Sequence, residues 1–350
     1  MTQATLGQAR LGYNFAWLFD WRADLLCFFL PLFFAVTMIY NAMSGTLLAA
    51  LALFTIAIVF PVVGSFHGAA TWFHYTDQKN QSYYFGTGKR IFIFGIAPLL
   101  ITLACAVAYA CHLKDLVFWV YMIWTIQHLT QQNVGILLLY HNPGEATVPR
   151  GIEARSQQIP SIIFGLLFFV HQYVGPRMFN LFVFLSMLSV LLLSSHYMWC
   201  LFQKARSGAP VNVPAFLFWF LSVWFYFPMP FVDSYYKGML LPLFVHWCQY
   251  VGLNWVLVAR KHEASKAIEA DKRRTVVAFL FFCAVGTAVF STTIYFSNMA
   301  NSEFVRSVLA GVVMAGSLVH YFQDAFIWRF REQFQRETIL PFLKLKKATA

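Results

Sequence analysis

The chain is a succession of apolar runs of about 20 residues, the length of α-helix that crosses a bilayer core, separated by short stretches that carry most of its charges. Only 11% of the residues are charged and 59% are hydrophobic, whereas soluble domains average about 25% charged residues. No polar region is long enough to form a separate soluble domain. These features predict an all-α polytopic integral membrane protein.

Ten apolar runs are candidates for transmembrane helices. We predict a single transmembrane helical domain over 24–328, preceded by a cytoplasmic N-terminal segment at 1–23 and followed by a basic cytoplasmic tail at 329–350. The candidate spans lie at 24–44, 46–77, 91–112, 116–140, 159–175, 178–203, 213–232, 238–258, 275–298 and 304–328.

The basic residues are distributed unevenly between the two sides of this topology. All but four of the 25 Lys and Arg residues fall on the side that holds both termini. Basic loops are retained in the cytoplasm, so we expect both termini there, in a multi-pass protein of a bacterial inner membrane. The same loops explain the net charge of +11 and would contact anionic lipid head groups, so we expect membrane lipids and no nucleic acid as partners. The four exceptions are Lys114, Arg177, Lys237 and Arg306.

Five histidines lie inside the apolar runs, each on a different even-numbered span. At about 1.5 Å of rise per residue, their positions place them in one band on the order of 8 Å thick, in the cytoplasmic half of the bilayer. Ionisable groups are costly in hydrocarbon, and when present they usually mark a functional site. The pattern predicts that the helices converge on one polar centre. These histidines are His67, His128, His196, His246 and His320.

Other polar residues are predicted to flank the histidines. His74 follows His67 by two helical turns, and Asp324 follows His320 by one. Asp324 would be either a ligand or the acceptor that orients His320, and the alternative is that it pairs with Arg329 or Arg331. Amides three or four residues after a histidine share its helix face and are candidates for contacts with ligands or substrate. They are Gln131, Gln132 and Gln249.

A metal centre is the function that these residues favour. Neutral imidazole is the commonest metal ligand, and a histidine-rich site with open positions suits iron, with one or two ions bound. We therefore predict a non-haem, oxygen-dependent oxidoreductase, such as a hydroxylase, desaturase or oxygenase. It would act on a lipophilic small molecule that enters from the cytoplasmic leaflet, with an electron donor as a further partner. The predicted ligands are His67, His74, His128, His196, His246, His320 and Asp324.

Three alternatives remain open. The first is a transporter of metal ions or protons, although the outer half of the even-numbered spans has almost no ionisable groups to continue a path. The second is a haem-binding electron-transfer subunit, in which two histidines would ligate the iron. The third is that the histidines only join helices by hydrogen bonds. The HxxxH and HxxHH spacings of membrane desaturases and hydroxylases do not occur, so the motifs indicate no family.

Overall fold

The computed structural model describes residues 12–31, 33, 63–141, 150–171, 173–227, 229–231, 235–264 and 269–343. Within this part the chain is almost entirely helical, and its one sheet pairs β1 (Tyr13–Asn14) in parallel with β2 (Val211–Asn212). The helices are α1 (Trp21–Asp24), α2 (Ser65–Phe73), α3 (Gln78–Tyr84), α4 (Gly88–Ile91), α5 (Ala97–Ala110), α6 (Lys114–Leu139), α7 (Arg150–Val170), α8 (Pro176–Arg206), α9 (Val213–Trp224), α10 (Tyr235–Ala264), α11 (Glu269–Met299), α12 (Glu303–Ile327), α13 (Gln333–Thr338) and α14 (Leu340–Leu343).

Irregular helical segments extend several of these elements. The π-helical segment Leu25–Phe29 continues α1, and Phe92–Ile96 joins α4 to α5 without a break in the helical path. Short 3₁₀ segments follow α2 at His74–Thr76 and lie before α10 at Met229–Phe231. The all-α class is confirmed for the described residues.

Five helical segments are long and apolar enough to cross a membrane, within the residues that the structure describes. Their large apolar side chains are widely exposed: Leu99 of α5 is 72% exposed and Phe281 of α11 is 69% exposed. Apolar surface of this extent suits contact with lipid rather than with water. The five segments are Gly88–Ala110, Pro176–Arg206, Val213–Phe231, Thr275–Met299 and Glu303–Ile327.

Three further helices match predicted spans but are not among these five. The helix α6 has 26 residues, which gives it a length of about 39 Å, and α7 and α10 have 21 and 30 residues. Each carries polar side chains that lower its mean hydropathy. The candidate spans 24–44 and 46–77 lie largely on residues outside the described part, as do the ends of both terminal segments. The count of ten and the side of the termini therefore stay predictions.

The chain forms two compact units. Unit 1 consists of Met1–Val36 and Leu129–Pro242, and unit 2 consists of Thr37–His128 and Leu243–Ala350. The chain passes from one unit to the other within α6 and within α10, so each of these helices contributes residues to both.

In unit 2, close helix packing depends on glycine. A Cβ at Gly311 of α12 would lie 2.6 Å from the carbonyl oxygen of Cys105 on α5, and one at Gly286 of α11 would lie 2.6 Å from the Cβ of Ala69 on α2. Small residues let helix backbones approach closely where hydrocarbon offers no hydrophobic drive for association. These contacts fix α12 and α2, the helices that carry His320 and His67.

In unit 1, the core is built from aromatic side chains of α9 and its neighbours. Phe218 and Trp219 of α9 are fully buried, and Trp219 packs against Tyr197 of α8 at a centroid distance of 4.5 Å. Asn212 of β2 exchanges two hydrogen bonds with the backbone of Ala16, which ties the N-terminal segment to this unit.

Candidate metal centre

Four helices of unit 2 bring four histidines together in the protein interior. His67 comes from α2, His128 from α6, His246 from α10 and His320 from α12. Each offers one ring nitrogen, and these four nitrogens all lie within 4.8 Å of one another. Each histidine is at most 8% exposed. The predicted convergence of the apolar spans on one polar centre is thus confirmed for four of the five histidines.

The four rings surround a common region. The ring of His67 lies 4.5 Å from that of His246 and 4.2 Å from that of His320, measured between centroids. The ring of His128 closes the other side, at 4.8 Å from His246 and 5.1 Å from His320. The Nε2 atoms of His128 and His246 are 3.2 Å apart. The arrangement is a closed ring of imidazoles rather than two separated pairs.

These distances are close to those of a coordination sphere. Metal–nitrogen bonds of 2.0–2.1 Å in a tetrahedral site separate neighbouring nitrogens by about 3.4 Å. The 3.2 Å between His128 and His246 already matches that value. The longest nitrogen–nitrogen separation, 4.8 Å, would shorten to about 3.4 Å if each of the two side chains moved by about 1 Å or less. The donor set therefore fits a metal ion bound through nitrogen.

Thr71 connects the histidines to a carboxylate. Its Oγ1 lies 2.6 Å from Nδ1 of His320, 2.6 Å from the Tyr250 hydroxyl and 3.1 Å from Oδ1 of Asp324. The Tyr250 hydroxyl donates to the same Asp324 oxygen at 2.8 Å, and Nε1 of Trp328 donates to the Tyr250 oxygen at 3.3 Å. All of these groups belong to unit 2.

The hydrogen bonds of Thr71 favour one tautomer of His320. The Tyr250 hydroxyl and the Thr71 hydroxyl both donate to Oδ1 of Asp324. With the Thr71 proton used there, Nδ1 of His320 would be the donor in its contact with Thr71. The lone pair would then be on Nε2. A hydrogen bond on the second nitrogen orients metal-binding histidines in this way.

Asp324 has one oxygen engaged and one oxygen directed at the histidines. Its Oδ2 has no hydrogen-bond partner among the described residues and lies 3.7 Å from Nε2 of His320 and 3.9 Å from Nε2 of His128. The alternative pairing with Arg329 is not seen, since that guanidinium donates to the carbonyl of Ala325. Asp324 is therefore a candidate fifth ligand.

Two predicted ligands lie outside the four-histidine group. His74 follows the end of α2 at Phe73, and its Nε2 is hydrogen-bonded to Oδ1 of Asn254 at 2.8 Å. His196 is exposed on α8 in unit 1. Periodicity placed His74 on the helix face of His67, and predicted depth placed His196 in the histidine band. Neither could show that α2 ends before His74 or which face of α8 is covered.

The three predicted amides have different environments. Gln249 is 1% exposed in α10, and its Nε2 has no hydrogen-bond partner among the described residues. Gln131 is exposed and Gln132 is half-buried, and both belong to unit 1. Of the three, Gln249 alone shares unit 2 with the histidines.

Thr71 and Tyr250 were missed as functional candidates, although a spacing signal was present. Thr71 follows His67 by four residues, Tyr250 follows His246 by four and Asp324 follows His320 by four. Residues four apart lie one above the other on a helix. Three helices thus place a hydrogen-bonding group one turn beyond the histidine, and the three groups meet. The shared spacing could have identified all of them.

Comparison with known proteins finds no matching family model, no matching curated protein and no matching solved structure. The fold and the site define the class of protein by themselves. It is a helical protein with several helices apolar enough for a membrane and a buried four-histidine group that can hold a metal ion.

Proposed function

We propose that this protein is an integral membrane metalloenzyme with a non-haem metal ion held by His67, His128, His246 and His320. The observation that carries the proposal is the convergence of four buried imidazole nitrogens within 4.8 Å of one another. The four histidines lie on four different helices. A chance cluster would require all four helices to pack with their histidines directed at the same place.

A purely structural role for the cluster leaves polar atoms unsatisfied. Nε2 of His67 and Nε2 of His320 have no hydrogen-bond partner among the described residues, and neither does Oδ2 of Asp324. A buried polar atom without a partner costs about 1–3 kcal/mol. One cation at the centre would satisfy all three atoms at once, which supports metal binding over helix–helix hydrogen bonding.

The ring geometry favours a bare ion over haem. A bis-histidine haem needs two imidazoles on opposite faces of a porphyrin, which is several times wider than an imidazole. The centroids of His246 and His320 are 6.3 Å apart, but the rings of His67 and His128 occupy the sides of that gap. A porphyrin between any two of these rings would collide with the others.

The ligand set supports iron and redox chemistry. Imidazole suits iron as well as copper and zinc, and iron sites with histidine and carboxylate ligands and open positions serve oxygenases. Four nitrogens and the Asp324 oxygen would make five ligands, so a six-coordinate ion would keep one position for a reactant. The surrounding apolar helices would admit a lipophilic small molecule from the bilayer. We propose oxidation of such a molecule as the reaction, with O₂ as the oxidant: one oxygen atom would enter the substrate, and the other would leave as water with two electrons from an external donor and two protons.

Metal analysis of the purified protein tests this proposal. The full chain, purified in detergent, should retain about one metal ion per chain by elemental analysis, with iron in excess of zinc and copper. Its visible spectrum should lack a Soret band. Either His128→Ala or His246→Ala should abolish retention, because each removes one of the two nitrogens that lie 3.2 Å apart. Exposed His171 provides the matched control, and His171→Ala should retain the metal.

The results separate the candidate functions. Absence of any bound metal in the wild-type protein, or full retention in both alanine variants, contradicts the metal centre. A Soret band favours the haem-binding subunit. Metal uptake into proteoliposomes that is lost in His128→Ala favours the transporter.

A further inference from the structure

Unit 1 contains a second buried polar cluster, separate in sequence from the histidine group. Its members come from the residue stretch just after α6, from the first turns of α7 and from α8. Glu153 of α7 is 1% exposed and Gln157, one turn later, is fully buried. Residues at this spacing share one helix face. The other members are His141, Ser194 and Tyr197.

One oxygen of Glu153 is doubly engaged. Nε2 of His141 and the hydroxyl of Tyr197 each lie 2.7 Å from Oε1. These two contacts occupy the acceptor positions of Oε1. The backbone carbonyl of Glu153 accepts from Ser156, whose hydroxyl accepts in turn from Trp219. The carboxylate is held in place by neighbours that are themselves packed.

The remaining polar atoms of the cluster have no partner. Oε2 of Glu153, both amide atoms of Gln157 and Oγ of Ser194 are buried without a hydrogen bond in the part of the chain that the structure describes. Ser194 precedes Tyr197 by three residues, so it lies on the same face of α8. Buried polar side chains nearly always have partners, and each exception requires an explanation. Here Glu153 and Gln157 lie one turn apart on α7. Ser194 lies on α8 within one turn of Tyr197, whose hydroxyl donates to Glu153.

No Lys or Arg forms an ion pair with Glu153 among the described residues. His141 contacts Oε1 and carries a charge only when it is protonated, whereas Oε2 has no partner in the same part of the chain. A buried polar atom without a partner is costly. A cation beside Oε2 would satisfy this atom and would use the unpartnered oxygens of Gln157 and Ser194 as further ligands.

We propose that unit 1 binds a monovalent alkali cation through Oε2 of Glu153, Oε1 of Gln157 and Oγ of Ser194. Hard cations take oxygen ligands of this kind. Divalent Ca²⁺ takes 6–8 oxygens, commonly from several carboxylates, whereas within the described residues Glu153 is the one carboxylate of this cluster. The site is distinct from the histidine group, whose donors are nitrogens.

Direct binding of radioactive tracers tests the site. The full chain in detergent should bind about one ²²Na⁺ or one ⁸⁶Rb⁺ per chain in a choline buffer, with displacement by the unlabelled ion. Glu153→Gln should lose at least tenfold in affinity, because it removes the charge and leaves the shape. Glu303→Gln, at an exposed carboxylate of α12, is the matched control and should bind as the wild type does.

Two milder variants keep the test decisive if Glu153→Gln fails to fold. Ser194→Ala and Gln157→Leu remove only atoms that have no partner, so both should fold and both should bind the tracer more weakly. Binding of neither tracer by the wild type overturns the proposal, and so does unchanged binding in both milder variants. Elemental analysis should show the same transition-metal content in all these variants, so failure of this site is distinguishable from failure of the histidine centre.

Discussion

Thr71 has one hydroxyl proton and three polar neighbours, and this makes it the most constrained residue of the metal centre. It contacts His320, Tyr250 and Asp324 at 2.6, 2.6 and 3.1 Å and is fully buried. It touches the histidine through Nδ1, the nitrogen that is directed away from the proposed metal. We therefore expect it to position His320 and Asp324 and not to contact the proposed ion.

Replacement of Thr71 by the nearly isosteric Val tests this role. Nδ1 of His320 would lose its partner, so the ring could rotate or change tautomer. Loss of an orienting hydrogen bond commonly weakens metal affinity by about 10–100-fold, and we expect a loss in that range, measured by competition with a chelator. Thr71→Ser keeps the hydroxyl and should restore the affinity. Equal affinity in Thr71→Val and the wild type would show that the network is dispensable.

His196 decides between the sequence-based ligand set and the four-histidine group. It lies in a predicted depth band with the others, but it is exposed on α8. His196→Ala should therefore leave the metal content of the purified protein unchanged, whereas His67→Ala should abolish it. Loss of metal in His196→Ala would instead support the larger ligand set that was predicted from the sequence.

At the scale of elements, α12 carries its packing surface and its histidine on different sides. Gly311, Ala315 and Leu318 form the stripe that packs against α5. His320 and Asp324 lie one turn apart on another side of the same helix, and both are buried. A displacement of α12 at Gly311 should therefore reach His320, nine residues and about 14 Å further along the helix.

Gly311→Ala tests this mechanical connection. The new Cβ would lie 2.6 Å from the Cys105 carbonyl oxygen and 2.8 Å from Cα of Ala106, and backbone atoms cannot move aside cheaply. Overpacking of this kind typically costs about 1–3 kcal/mol. We expect a lower midpoint of thermal unfolding together with reduced metal retention. A Cβ at Gly135 of α6 meets nothing within 4 Å, so Gly135→Ala is the control and should be neutral or slightly stabilising.

The sequence predicts the positions of the helices and the depth of the histidines, because both follow from the apolar pattern. It does not predict which helices are neighbours in the folded protein. The spacing of apolar runs predicts α8 and α12 to within three residues, since a span ends where polar residues begin. His128 and His246 were expected to share a depth, but depth alone cannot show which helices are neighbours. The environment of His74 depends on where α2 ends, and that end depends on contacts with distant parts of the chain such as Asn254.

At the scale of the whole molecule, the helices that carry the clustered histidines differ in hydropathy. The helices α6 and α10 carry His128 and His246 within long helical runs of 26 and 30 residues, and neither is among the five apolar segments. Helix α12, which carries His320, is among them. Polar side chains lower the mean hydropathy of α6 and α10, so a hydropathy criterion alone passes over two of the helices that build the histidine group.

The predicted topology can be tested with the chain's own cysteine. Cys111 is exposed just after α5, and the charge pattern places it on the outer side of the membrane. A membrane-impermeant maleimide should label Cys111 in intact spheroplasts. Exposed Ser82 precedes α4, and Ser82→Cys in a Cys111→Ser background should be labelled only after permeabilisation. Labelling of both positions in intact spheroplasts would exclude the ten-span arrangement.

The spread of the four histidines along the chain also sets the order of events during biosynthesis. His67 emerges from the ribosome early, but His320 is encoded within the last tenth of the 350 residues. A complete ligand set therefore cannot exist until α12 has been synthesised and packed against α5. An ion held by all four histidines, as proposed above, would have to be acquired after translation is nearly finished, and a truncated chain that lacks α12 would offer it only three of the four.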